Sequence, residues 1–289
     1  MQVAQNIQGT PHAGNRWKEN LDRQLTKHGY KCNNVDKALY TYHQDDDLLA
    51  ILSTTVDDFL LSFKDFKIRD QFFNFMGDAF DITTPGYQQE ITFLSLRIFQ
   101  SEDGISLDQT QHIYSSILME WFDNTNKFKH NDTPIKAHPT YEHDISQSPP
   151  LSPVDLQHYE TRYRGAFNHT IGKLLHIQQW SRPDLNYTIS RLAVYAKSPT
   201  LMAFEALNHL MTYLHTHMHE PIFYPRRQIG KDEPITYKWS NHQTSTYTTK
   251  TTYIYHVDAV FANILPDRRS MQSNVGLLNA VIVSWGTNI

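Results

Sequence analysis

Trp17, Leu21 and Leu25 recur every fourth residue in a polar segment, which predicts a helix over Arg16–His28 with Gly29 as its stop. KALYTY (Lys37–Tyr42) predicts a strand and HQDDD (His43–Asp47) a polar turn. LLAILST and FLLSF are two apolar runs a few residues apart, the pattern of a hairpin. Helical patterning returns over Phe66–Phe80, with Phe72, Phe73, Phe75 and Met76 grouped on one side. ITFLSLRIF (Ile91–Phe99) predicts one further strand, EDG (Glu102–Gly104) a turn, ISLDQ a partner strand, and His112–Phe122 a helix.

The pattern breaks between Asn124 and Pro153, where Pro134, Pro139, Pro149, Pro150 and Pro153 are interspersed with polar residues, as in a linker or surface excursion. Three helices are expected next, over Val154–Gln179, Asp184–Lys197 and Leu201–His217. The last carries Ala203, Leu207, Leu210 and Leu214 on one face, joined by Phe204 and Met211. A second polar stretch, Pro225–Thr252, precedes two strand-like runs, YIYHVDAVFA and NVGLLNAVIVSW, joined by the turn LPDRRS. No internal repeat is present.

Composition narrows the class. A chain of 289 residues with 39% hydrophobic and 19% charged side chains can bury a sizeable core and does not read as disordered. No apolar run reaches the length of a membrane span, and MQVAQNIQGTPHAG lacks the basic-then-apolar order of a secretory leader. Cys32 is the sole cysteine, which excludes an internal disulfide and a thiolate cluster. These features fit a reducing, intracellular setting, cytoplasmic or nuclear.

The net charge of −4 does not advertise a polyanionic partner, but its distribution is uneven. Ten acids between Thr41 and Glu90 face Lys64, Lys67 and Arg69, whereas Arg162, Arg164, Lys173, Arg182, Arg191 and Lys197 outnumber the acids between Val154 and Ser198. Such a chain could hold a metal in one place and phosphates in another; six cations over that length also fit a solvated helix surface.

Asp57 and Asp58 sit between apolar arms, Leu48–Leu52 and Phe59–Leu61. A hairpin can project two consecutive carboxylates from a rigid strand pair, and hard cations such as Mg²⁺ take carboxylate oxygens. Asp is also a common turn residue, which is the reading for Asp45–Asp47. LHTHMHE offers His215, His217, His219 and Glu220, but residues two apart do not share a helix face, so this suits a metal only where the helix has ended. Asp258, in YIYHVDAVFA, could bind metal or cap a strand end. No glycine-rich phosphate loop is present among the 11 glycines.

Taken in order, these segments resemble the pol product of copia-type LTR retrotransposons, from about Gly9 to Trp285. GTPHAGNRWKENLDRQLTKHGY, KALYTY and TVDDFLLSF are similar to that family's helix, strand and Asp-Asp polymerase box. ITFLSLRIF with DGISLDQTQHIYSSIL resembles its next block, and YRGAFNHTIGKLLHIQQWSRPDLNYTISRLA its helical segment around an Arg-Pro-Asp triplet. SPTLMAFEALNHLMTYLHTH resembles the helix that follows, and YHVDAVFAN with DRRSMQSNVGLLNAVIVSW the opening strands of the attached RNase H domain.

The resemblance implies an α+β fold: a partial polymerase palm with an antiparallel sheet and an Asp-Asp hairpin (1–123), a Pro-rich linker (124–153), a helical thumb- or connection-like region (154–224), a polar linker (225–252) and the start of an RNase H-like sheet (253–289). It implies RNA-directed DNA polymerisation on an RNA/DNA template–primer with two Mg²⁺ ions, Asp57 a direct ligand and Asp58 a supporting carboxylate. Asp258 would be the first RNase H carboxylate, and Arg182, Arg191 and Lys197 would track nucleic-acid phosphates.

Departures temper that expectation. The family's aromatic before x-Asp-Asp is Thr55 here, a family Gly is Ser95, and an RNase H Asp and Trp are Val260 and Phe261. A further palm Asp and the later RNase H carboxylates are not matched. The resemblance therefore leads us to expect an incomplete, inactive piece of such an enzyme, with a non-catalytic nucleic-acid-binding remnant as the alternative.

Overall fold

The computed structural model describes residues 13–55, 58–82, 88–122, 130–138, 140–226, 235–238, 244–247, 253–264, 269–278 and 281–288. The fold is mixed, of helices and antiparallel sheets, in two compact units divided at Gln88/Gln89. That division falls inside the stretch 1–123 that the sequence segments as one.

In the first unit, β1 (Tyr30–Cys32), β2 (Leu39–Gln44), β3 (Asp47–Thr55) and β4 (Asp58–Phe63) form an antiparallel sheet in sequence order. Period-two alternation buries Ala50, Leu52 and Thr54 while Leu48 and Ile51 stay 44% and 39% exposed. The arms of the hairpin are thus buried on one side only. Helices α1 (Ala13–Lys27) and α2 (Phe66–Ala79) supply the rest of this core, with Leu21 and Leu25 from one and Ile68, Phe72 and Met76 from the other. Asp65 starts α2 by accepting a hydrogen bond from the Ile68 amide at 3.0 Å.

The second unit opens with β5 (Glu90–Phe93), β6 (Leu96–Gln100) and β7 (Gly104–Asp108), which pair in order and take β8 (Ile222–Pro225) as a fourth strand. The single strand expected over Ile91–Phe99 is instead a hairpin. Leu94 and Ser95 both hold positive φ, 51° and 66°, and reverse the chain without a glycine or asparagine to signal it. Helix α3 (Thr110–Ile113) passes through a π-helical turn (Tyr114–Leu118) into α4 (Met119–Trp121). Lys173 Nζ donates to the Ser116 carbonyl in that turn at 2.9 Å.

The Pro-rich stretch contains α5 (Tyr141–Gln147), whose Tyr141 and Ile145 enter the helical core. The one long helix expected over Val154–Gln179 is two, α6 (Pro153–Arg162) and α7 (Phe167–Trp180), because Arg164 at φ 54° turns the chain ahead of Gly165. A 3-10 turn (Pro183–Leu185) leads into α8 (Asn186–Ala193), and α9 (Leu201–Thr216) buries Phe204, Leu207, Leu210, Met211 and Leu214, the face read from its spacing.

Beyond β8, the polar stretch holds a two-stranded ladder of β9 (Ile235–Lys238) and β10 (Thr244–Tyr247). The terminal region has three antiparallel strands where two were expected: β11 (Tyr253–Ile264), β12 (Arg269–Leu278) and β13 (Val281–Asn288). The run NVGLLNAVIVSW supplies parts of both β12 and β13, because the chain reverses between Leu278 and Val281, which pair across the ladder. β13 is tied to the helical core by Trp285 Nε1, which donates to the Gln178 carbonyl at 2.7 Å, and by Asn186 Nδ2, which donates to Thr287 Oγ1 at 2.6 Å.

Candidate functional site

The β3–β4 ladder runs from Ala50↔Phe63 to Thr55↔Asp58. Asp58 therefore opens β4 at the end of the hairpin, where its side chain is exposed. Asp57 and Val56 lie outside the described residues. The loop before β2 runs beside this end of the sheet: the Ala38 carbonyl accepts the Thr54 amide at 2.9 Å and Thr54 Oγ1 at 3.3 Å. Lys18 on α1 donates to the Lys37 carbonyl at 2.6 Å and to the Tyr40 hydroxyl, which in turn donates to Asp22. The acidic turn Asp45–Asp47 is at the opposite end of β3. There Lys64 Nζ lies 2.9 Å from Asp47 and draws that carboxyl below its usual pKa.

A carboxylate at a rigid strand end is suited to a hard divalent cation, which needs several oxygens in fixed geometry. Among the described residues, Asp58 belongs to no group of three metal-ligand side chains. A metal at this tip would need Asp57 and further oxygen ligands in addition.

Arg182, read from sequence as a phosphate contact, is 2% exposed and turned inward. Its Nε and Nη2 donate to the two oxygens of Asp184 at 2.9 and 2.6 Å, and its Nη1 donates to the His217 carbonyl at 2.9 Å. Burial opposes its charge, but Asp184 outweighs that effect and its pKa is raised. The Tyr213 hydroxyl adds a hydrogen bond to Asp184 at 3.0 Å. The Arg-Pro-Asp triplet is thus a helix-end clamp, satisfying a carbonyl at the C-terminus of α9. Arg191 is also buried and lies 3.4 Å from Glu142, which accepts the Tyr187 hydroxyl as well. Of the three cations selected from sequence, Lys197 alone is exposed. Asp258 sits mid-strand on β11, across from Ser273 on β12.

The sequence reading missed a cavity of about 920 Å³ in the second unit, bordered by Arg97, Asp108, Gln109, His112, Ser115 and His219 among others. Arg97 is held by Glu90, with two contacts of 2.7 Å, and by Asp108 at 3.4 Å. Gln109 is buried; its Oε1 accepts Ser181 Oγ at 2.7 Å while its Nε2 has no hydrogen-bond partner among the described residues. Burial lowers the His112 pKa, helped by His176 and Lys173. No spacing rule marks these residues, because β5–β7, α3 and the end of α9 converge there only in three dimensions.

Residues 1–137 match the family model for reverse transcriptase (RNA-dependent DNA polymerase). A protein of Saccharomyces cerevisiae described as a putative transposon Ty5-1 protein is 26% identical over 202 residues, which cover 69% of this chain. The match spans 59% of that relative's length. No solved structure matches the chain. The family match ends well before β11, so it does not extend to the RNase H-like reading of 253–289.

Proposed function

We propose, from the match of residues 1–137 to the reverse transcriptase family model and the similarity to a Ty5-1 transposon protein, that the chain is a copia-type retrotransposon pol region and that its β3–β4 hairpin is the metal-holding hairpin of an RNA-directed DNA polymerase palm. The observation that supports this is the register Thr55↔Asp58, which puts Asp58, the residue that follows Asp57 in sequence, at the start of β4 beside the end of β3. The two carboxylates would hold Mg²⁺, which would supply charge stabilisation to a phosphoryl transfer. The chain's own part is to fix those oxygens on a rigid sheet and to bind template–primer beside them.

Polymerisation calls for more carboxylate ligands than these two. The expected outcome for this chain alone is therefore divalent-ion and template–primer binding without primer extension. On the same reading β11–β13 would be the opening sheet of an RNase H domain with Asp258 as its first carboxylate. The thumb-like surface would present Lys197 to nucleic acid, with Arg182 and Arg191 left as internal supports.

The test is binding of a labelled RNA–DNA hybrid as a function of salt and Mg²⁺. Binding that falls as salt rises, and that loses its Mg²⁺ dependence in Asp57→Asn, is the expected result. Absence of binding at low salt would overturn the proposal. Mg²⁺-dependent primer extension lost in Asp57→Asn would overturn its inactive part.

A further inference from the structure

A second group of ligand-type side chains lies at the C-terminal end of α9, on residues that the hairpin chemistry does not use. The helix ends at Thr216, and His217 is its cap residue with φ −110° and ψ 24°. The condition under which the LHTHMHE run could serve a metal, that the helix has stopped, is therefore met at His217. The segment His130–Thr133 crosses this end. Asn131 Nδ2 donates to the His209 carbonyl at 3.0 Å, and His209 Nε2 lies 3.0 Å from the Thr133 carbonyl.

His130 Nε2 and Asp132 Oδ1 are 2.6 Å apart, and the ligand atoms offered by His130, Asp132 and His217 all lie within 4.8 Å of one another. The two imidazole rings are 5.7 Å apart. His217 faces oxygen at both nitrogens: Nδ1 is 2.7 Å from Glu220 Oε1, and Nε2 is 3.2 Å from the Asn131 carbonyl. A neutral imidazole has a single N–H and satisfies one of these contacts, not both. If Nδ1–H goes to Glu220, the Nε2 lone pair is turned toward the 130–132 segment, where His130 and Asp132 are.

We propose that His130, Asp132 and His217 form a binding site for a divalent transition-metal ion of the Zn²⁺ class, with Glu220 orienting His217. Two imidazole nitrogens and one carboxylate oxygen are a donor set that such ions take and that Mg²⁺, which prefers oxygen throughout, does not. A carboxylate on the outer nitrogen of a ligating histidine fixes its tautomer and ring direction. The His217 side is preorganised: Arg182 holds its carbonyl, and the Tyr213 ring stacks on it at 4.5 Å. The other side is open, since the His130 and Asp132 side chains are 63% and 83% exposed. Water completes the coordination there. The ion ties the 130–133 segment to the end of α9.

The test uses the full-length, untagged chain, freed of metal with a chelator and titrated with Co²⁺ as a visible-absorbing probe, then with Zn²⁺ as competitor. One equivalent of Co²⁺ with a ligand-field spectrum, displaced by Zn²⁺, is expected. His130→Ala and Asp132→Asn, both exposed and safe for folding, should each weaken binding about tenfold or more. His219→Ala, outside the cluster, should leave it unchanged. Zn²⁺ should raise the Tm of the wild-type chain and not that of His130→Ala. No ligand-field band at one equivalent, equal affinity in the His130 and Asp132 variants, or an equal loss in His219→Ala would each overturn the site.

Discussion

Arg182 and Asp184 are joined by two near-parallel hydrogen bonds, 2.9 and 2.6 Å, beneath the last turn of α9. The third guanidinium donor reaches the His217 carbonyl, so one buried cation pairs a carboxylate and closes a helix end. Removing Asp184 leaves the Arg182 guanidinium buried and uncompensated, whereas removing Arg182 leaves a carboxylate that water can reach. Asp184→Asn is expected to destabilise the second unit by about 3 kcal/mol, and Arg182→Met by less, because the carboxylate it frees is exposed. Arg182→Lys is expected to recover little, because an ammonium cannot reproduce the planar fork. Urea unfolding followed by tryptophan fluorescence, to which Trp180 and Trp285 of the second unit contribute, measures this. Unchanged midpoints would remove the clamp from the list of stabilising features.

The β5–β6 reversal puts Ser95 at φ 66°, a left-handed conformation that costs a residue with a Cβ about 1–2 kcal/mol. Part of any gain from glycine is returned as unfolded-chain entropy. Ser95→Gly is therefore expected to stabilise the chain by about 0.5–1 kcal/mol, whereas Ser95→Val should destabilise it. Thermal melts of the three proteins decide it. A loss of stability in Ser95→Gly would mean that the hydroxyl matters more than the backbone.

His209 is expected to make the chain acid-sensitive. Burial lowers its pKa below 6.5, the Thr133 carbonyl partly offsets this, and Lys136 adds to the lowering. The unfolded chain therefore takes up this proton first as pH falls. Stability is full above 6.5, declines as pH drops from there through the folded-state pKa, and changes no further below it. His112 and His215 shift in the same direction through burial, so a general loss is expected as pH falls below 6.5. His209→Gln should make that loss smaller. An identical pH dependence in the variant would show that the His209 imidazole is not buried in solution.

What was legible in the sequence follows from period and locality. The α9 face was visible because Ala203, Leu207, Leu210 and Leu214 repeat at helical spacing and all are buried. The β3–β4 hairpin was visible because two apolar runs flank a short polar step. Reversals made without punctuation were invisible: Leu94–Ser95 and Arg164 adopt positive φ with residues that rarely do so. The Pro-rich stretch hid α5, whose Tyr141 and Ile145 are too few to set a period. Arg182 looked like a surface cation because charge alone does not tell a paired, buried guanidinium from a solvated one. Its partner two residues away was the available signal. The His130–Asp132–His217 group joins residues more than eighty positions apart, which no local pattern reports.

A divalent ion at the end of the β3–β4 hairpin, as proposed, can be located by metal-directed cleavage. Fe²⁺ substituted for Mg²⁺ generates hydroxyl radicals that cut the polypeptide next to the metal, so the cut positions map the site directly. With ascorbate and peroxide, and with Zn²⁺ added to block the histidine cluster, cleavage is expected close to residues 55–60. It should be suppressed by excess Mg²⁺ and lost in Asp57→Asn. Cleavage elsewhere only, or cleavage at the hairpin that persists in Asp57→Asn, would contradict the assignment of Asp57 and Asp58 as metal-holding carboxylates.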